Sequence, residues 1–150
     1  MRKRNKVKQL QRTSAHRNAM LKNQVLSLLF HEQIKTTTAK AKVTAQIAEK
    51  LISRAKKNLV EGVTPEAKQH NVKIAAKTLP EKEVLAKLFN DIAPRNVTRN
   101  GGYTRIIKLG KRNSDASEMA LLQLVEKREL VEILDDRKTQ RAIYKEKKKK

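Results

Sequence analysis

The chain has 150 residues, no cysteine and a formal net charge of +21, with 36 lysines and arginines against 15 acidic residues. The length predicts one domain, and the lack of cysteine excludes disulfides and cysteine-based zinc sites. A charge this large predicts a polyanionic partner, most commonly nucleic acid. An anionic membrane surface is the alternative, but it requires amphipathic helices with Trp or Phe, and the chain has no Trp and two Phe. No apolar run approaches the roughly 20 residues that span a bilayer.

Residues 1–12 are predicted to form a basic N-terminal extension. The first acidic residue in the chain is Glu32, and large apolar side chains are few in this arm. Such a segment cannot bury enough surface to order itself, so we expect an extended tail. No apolar segment of a secretory signal follows the first residues, and a cytoplasmic protein is expected.

Four helices and one short strand are predicted in the first two thirds of the chain. Thr13 and Ser14 suit the N-cap of the first helix, Thr38 suits that of the second, and Thr64-Pro65-Glu66 begins the third. The predicted elements are a helix at 15–31, a β-branched strand at 34–37, and helices at 39–58, 65–77 and 80–93, the last stopped by Pro94. One apolar stripe on the second helix is made by Val43, Ile47, Ala48, Leu51, Ile52 and Ala55.

Two further strands complete the predicted order α-β-α-α-α-β-β. Asn100-Gly101-Gly102 indicates a turn, and strands are expected at 103–109 and 119–125 as a hairpin or antiparallel pair. We therefore predict a two-layer α+β domain, with helices on one face of a small three-stranded sheet. Residues 13–126 would form this domain. Residues 127–150 would form a basic C-terminal extension, with a turn or two of helix at 130–134.

The residues that catalysis would need are not grouped in any usable way. His16 and His31 lie at opposite ends of the first predicted helix, and His70 lies on the third. The pair His31-Glu32 resembles the start of a zinc-protease motif whose second histidine position is Lys35. No glycine-rich phosphate loop is present, and Asp135 and Asp136 are more typical of a solvated tail. We expect no enzyme activity, no metal, no cofactor and no small-molecule substrate.

Two basic regions are the candidate RNA-binding sites. The first combines the arm with the start of the first helix, because guanidinium groups fork onto phosphates and helix N-termini bind them. The second has six cations and no acid between residues 93 and 114. The candidates are Arg2, Lys3, Arg4, Lys6, Lys8, Arg12, Thr13, Ser14, His16 and Arg17, and Arg95, Arg99, Asn100, Tyr103, Arg105, Lys108, Lys111 and Arg112.

Each of these regions also has a plainer interpretation. The arm is alternatively a solubilising tail, and the second region an ordinary surface loop. Tyr103 is predicted either to stack on a base or to pack against the sheet. The lysine run at the C-terminus is as typical of a solvated tail as of a phosphate contact.

Five ordered sequence blocks resemble the bacterial family of large-ribosomal-subunit protein seventeen. They span roughly residues 1–126 and any single block would be much less specific. The blocks are RTSAHR at 12–17 with Met20 and Leu21; HEQI at 31–34 with Thr36, Thr37 and AKAK at 39–42; Leu88-Phe89 with IAPR at 92–95; RNGGYTR at 99–105; and Met119-Ala120 with Leu124-Val125.

This resemblance implies a structural role rather than catalysis. It implies helices on a three-stranded sheet, bound to large-subunit ribosomal RNA near the exit of the peptide tunnel, with other ribosomal proteins as neighbours and no cofactor. The chain departs from the family pattern at Lys3, Val43 and Gln123, and residues 127–150 extend beyond the family core. The alternative functions are a nucleoid-type DNA-binding protein, although DNA readers usually present a compact recognition helix or β-arm, and an extraribosomal RNA binder.

Overall fold

The computed structural model describes residues 8–60 and 62–127, in which helices pack on one face of a three-stranded antiparallel sheet. The α+β class and the predicted order of elements are confirmed. The helices and strands are α1 (Ser14–His31), β1 (Gln33–Thr37), α2 (Thr38–Lys56), α3 (Pro65–Ala76), α4 (Lys82–Lys87), α5 (Ala93–Arg95), β2 (Thr104–Lys111) and β3 (Glu118–Leu124). The predicted turn of helix at 130–134 lies outside the described residues, and the division into extensions and domain stays a prediction.

Helix α1 ends where its sequence predicts and begins one residue earlier, at Ser14. Thr13 is the N-cap residue, with extended backbone, although its hydroxyl makes no capping hydrogen bond. Glu32 ends the helix in the left-handed region, at φ +62°. The buried residues recur every three or four positions on the face toward the core, as in an amphipathic helix: Leu21, Val25, Leu28 and Leu29.

Helix α2 begins one residue earlier than the sequence predicts. Thr37, not Thr38, is the N-cap residue. The Thr38 hydroxyl instead donates a hydrogen bond to the Glu118 carbonyl on β3, at 3.3 Å. The α-helix ends at Lys56, and the predicted last turn is a 3₁₀ turn, Lys57–Leu59.

The prediction that Pro94 stops the fourth helix is wrong. Helix α4 continues through a π-helical turn, Leu88–Ile92, in which the Ala93 N–H reaches the Leu88 carbonyl five residues back. Pro94 then lies in the first turn of α5, and because it has no N–H it donates no backbone hydrogen bond to the preceding turn. The wide π turn therefore lets the helical path run on to Arg95.

Strand β3 is the central strand, paired with β1 on one side and β2 on the other. Its alternate residues Ala120, Leu122 and Leu124 are buried against the helices. The opposite face of the sheet is open, and Lys35 and Ile107 flank Leu121 across it. Strand β2 ends two residues later than predicted, because a bulge between Lys108 and Gly110 lets the pairing continue past the glycine. In the described part of the chain, no helix is long and apolar enough to cross a membrane.

Candidate nucleic-acid interface

The arm joins α1 through a turn rather than through the extended chain that its composition predicts. Leu10 and Gln11 have positive φ angles of 56° and 54°. The Arg17 Nε donates a hydrogen bond to the Lys8 carbonyl at 2.7 Å, because the turn brings that carbonyl back beside the first turns of the helix. The arm therefore leaves the domain from a fixed place. Its remaining candidates, Arg2, Lys3, Arg4 and Lys6, lie outside the described residues.

The N-terminus of α1 has the electrostatic character of an anion-binding helix end. Its first turn holds no acidic residue, and the Thr13 side chain does not cap its amides. Thr13 and Ser14 are exposed there. The Arg12 guanidinium hydrogen-bonds to the His16 ring, which holds both groups beside the first turn. The helix dipole and these side chains favour a negative group at the same place.

A groove leads from this helix end to the sheet. It lies between α1 and the edge strand β1 and has a volume of about 540 Å³. Arg12 and His16 line one end, and Lys35 lines the side formed by β1. The polar side chains of Asn23 and Gln24 are also in its wall, beside the apolar side chains of Ala19 and Met20.

A second groove continues from Lys35 toward the β2–β3 hairpin. Its volume is about 530 Å³, and Lys35, Lys111 and Arg112 line it. Because Lys35 belongs to both grooves, the two form one basic path, defined here by Arg12, His16, Lys35, Lys111 and Arg112. No Asp or Glu lines either groove. The path brings together members of both regions that the sequence singles out.

Arg112 is fixed at the hairpin end of the basic path by Asp115. Its Nε and Nη2 donate to the two carboxylate oxygens of Asp115, at 2.9 and 2.5 Å. The pKa of Asp115 is held well below its usual range, first by the hydrogen bond from Arg112 and then by those from Ser117. The same pair raises the pKa of Arg112. Arg112 therefore stays charged, but part of its hydrogen-bonding capacity is used within the hairpin.

Arg95 is the candidate most engaged within the protein itself. Its Nη2 and Nη1 donate to the two carboxylate oxygens of Glu32 at 2.8 and 3.1 Å. Lys87 lies 2.9 Å from the same carboxylate, and the Asp91 carboxylate accepts a hydrogen bond from the Arg95 Nη2 at 3.2 Å. The Glu32 side chain is only 3% exposed. Arg95 thus ties the end of α1 to α5, and its contact with RNA stays a prediction.

The remaining candidates of the second region lie apart from the basic path. Arg99 pairs with Glu126 at 2.9 Å, and Asn100 is exposed in the turn before β2. Arg105 and Lys108 are exposed on β2, and within the described ranges neither forms an ion pair. Their contacts with RNA stay predictions.

Tyr103 packs in the core, as the second of its two interpretations has it, and its contact with RNA stays a prediction. The residue is 3% exposed. The Lys56 ammonium lies 5.2 Å from the ring centroid and donates to the Tyr103 hydroxyl at 3.3 Å. It also donates to the Arg99 carbonyl. The tyrosine thereby joins α2 to the loop before β2.

Lys35, Lys56 and Glu32 are the important residues that the sequence analysis does not single out. Lys35 lies in the first predicted strand, between Ile34 and Thr36. Because alternate side chains of a strand point to opposite faces, this pattern predicts that the Lys35 side chain points away from the core. No local pattern marks the other two, since their partners are distant in sequence. Within the described residues, no group of three or more His, Cys, Asp or Glu side chains that could hold a metal ion occurs.

Comparison with known proteins gives a consistent set of relatives. The family model described as Ribosomal protein L17 matches residues 20–125. The large ribosomal subunit protein bL17 of Leptospira biflexa is 43% identical over 148 residues, covering 94% of this chain and 86% of the relative. The protein of the same name from Pelobacter propionicus is 47% identical over 119 residues, covering 79% and 87%. That from Borrelia garinii is 49% identical over 118 residues, covering 79% and 89%.

Proposed function

The chain belongs to the ribosomal protein L17 family, and we propose from this that it is a structural constituent of the large ribosomal subunit that binds large-subunit ribosomal RNA. Ribosomal proteins are structural components rather than enzymes. The proposal includes a position near the exit of the peptide tunnel, other ribosomal proteins as neighbours, and a cytoplasmic location in the ribosome. The named relatives support the assembly, and the resemblance in the sequence blocks supports the position.

The observation that carries RNA binding is the basic path. It runs from the N-terminus of α1 past Lys35 to the β2–β3 hairpin, and neither groove contains an acidic side chain. Cations spaced along a groove fit a phosphate backbone, because each neutralised phosphate releases condensed counterions. Phosphate contacts also fix a protein in register on RNA without reading its sequence. This suits a structural component.

Sedimentation tests the proposed assembly directly. The native protein should travel with large ribosomal subunits in a cell lysate. Migration with the nucleoid, or with free RNA alone, would contradict the proposal and favour the DNA-binding or extraribosomal alternative. A reconstituted subunit imaged by electron microscopy would test the position near the tunnel exit.

Binding to a fragment of large-subunit ribosomal RNA should weaken steeply as salt concentration rises. If about ten phosphates are neutralised, the log–log slope of affinity against salt should be about −7 to −9. Filter binding across a salt series would measure this slope. A slope shallower than about −2 would show that phosphate contacts do not dominate.

Reversing the charge at Lys35 should weaken this RNA binding, because Lys35 joins the two grooves. We expect Lys35→Glu to lower affinity about tenfold and to make the salt slope shallower by about 1 to 2. Lys68→Glu is the matched control, since Lys68 is an exposed residue of α3 and lines neither groove. The same loss of affinity in both variants would show that net charge, rather than the basic path, determines binding.

A further inference from the structure

A pocket at the start of β2 gathers several apolar side chains that the core does not use. Leu59, Val60 and Val97 are 42%, 60% and 53% exposed, and all three line the pocket. They come from two separate segments, the 3₁₀ turn after α2 and the loop after α5. Single exposed apolar side chains are common on protein surfaces, whereas a cluster of them indicates a binding surface.

Polar and charged groups surround these apolar walls. Lys56 and Lys57 line the side formed by the end of α2, and Asn100 lines the side formed by the turn before β2. The Lys56 ammonium is held by the Arg99 carbonyl and the Tyr103 hydroxyl, whereas Lys57 is exposed. Within the described ranges, no group hydrogen-bonds the Asn100 amide, so it has both donors and an acceptor available.

The combination fits a nucleotide better than an apolar peptide. The pocket has a volume of about 430 Å³, within the roughly 300–1,000 Å³ typical of sites that take small ligands. Apolar walls suit the faces of a base, an amide suits its hydrogen-bonding edge, and a nearby lysine suits its phosphate. A purely apolar side chain would gain nothing from Lys57 or Asn100.

We propose that this pocket receives one unpaired base of the bound RNA. Leu59, Val60 and Val97 contact the base faces, Asn100 hydrogen-bonds its edge, and Lys57 reaches an adjoining phosphate. The inference rests on the proposed function and adds to it a site that recognises a nucleotide rather than backbone charge. It also places this contact away from the basic path.

Two short oligomers separate base binding from phosphate binding. The full chain should bind the hexanucleotide rA6 about tenfold more tightly than an abasic ribose-phosphate hexamer of the same charge, a difference of about 1.4 kcal/mol, because only rA6 presents a base to the apolar walls. Val97→Asp should abolish that difference. Phe30→Asp, which places the same charge at a residue 46% exposed on α1, should retain it.

Methyl NMR of the unsubstituted protein gives an independent measurement that does not depend on how the variants fold. Resonances of Leu59, Val60 and Val97 should shift with rA6 and not with the abasic hexamer. Equal affinity for the two oligomers, equal effects of the two substitutions, or unresponsive methyls would overturn the pocket proposal. Such a result would leave the proposed function intact, because the protein could still bind the ribosomal RNA fragment with a steep dependence on salt.

Discussion

Replacing Arg95 by methionine is expected to lower the free energy of unfolding by about 3 kcal/mol, because it removes the two hydrogen bonds that the guanidinium donates to the buried Glu32 carboxylate. Breaking a buried ion pair typically costs about 3–5 kcal/mol. The lower end applies here, since Lys87 remains 2.9 Å from the carboxylate. The substitution also removes the hydrogen bond from Arg95 to the Glu126 carbonyl. Urea unfolding followed by circular dichroism measures the difference.

Arg105→Met is the matched control for this loss of stability. Arg105 is an exposed residue of β2, and its replacement should change the free energy of unfolding by no more than about 0.5 kcal/mol. Adding Glu32→Gln to the Arg95 variant should recover part of the loss, because no charge is then left buried without its main partner. Equal effects of the two arginine substitutions would show that Glu32 and Arg95 do not stabilise the fold together.

Local sequence signals predict most of the fold, because most of its elements begin and end through local chemistry. Thr64-Pro65 is the clearest case: the predicted cap is present, with the Ala67 N–H donating to the Thr64 hydroxyl at 3.3 Å. The errors occur where a distant contact competes. The Thr38 hydroxyl binds a carbonyl 80 residues away instead of capping its own helix. The π turn before Pro94 is likewise not evident from a breaker residue alone.

The candidate site is less predictable, because a cation's partners are set by the tertiary structure. Composition singles out two basic regions, but it cannot tell that Arg95 meets Glu32 across 63 residues. Nor can it tell that Lys56 meets Tyr103 across 47 residues and holds the ring in the core. Lys35 joins the two regions only because the edge strand lies between them. The sequence thus predicts how much charge is available, and the fold decides which cations face a groove.

The arm begins at one end of the basic path, so its charges adjoin that path along the chain. Arg17 holds the Lys8 carbonyl beside α1, and Arg12 lines the first groove. If residues 1–7 were extended, they would reach about 23 Å beyond Lys8, at roughly 3.3 Å per residue. That reach is enough to enter a groove between RNA helices. The arm and the basic path would then make one continuous set of phosphate contacts.

Deleting residues 2–11 is therefore expected to impair incorporation into large subunits severely, whereas deleting residues 138–150 should have a mild effect. The first deletion removes five cations, and the second removes seven cations and one carboxylate. Incorporation is measured by competition with the full-length protein during subunit assembly, followed by mass spectrometry of the purified subunits. Because the second deletion removes slightly more positive charge, an effect of charge alone would make it at least as harmful.

Two full-length variants with equal losses of charge test the same proposal more directly than the deletions do. Both lose five positive charges by substitution with glutamine: Arg2, Lys3, Arg4, Lys6 and Lys8 in one, and Lys145, Lys147, Lys148, Lys149 and Lys150 in the other. We expect the arm variant to be outcompeted about tenfold and the C-terminal variant less than twofold, because phosphate contacts at a fixed place add to those of the basic path. Equal incorporation of the two variants would contradict site-specific binding by the arm. The arm would then contribute only non-specific electrostatic attraction to RNA.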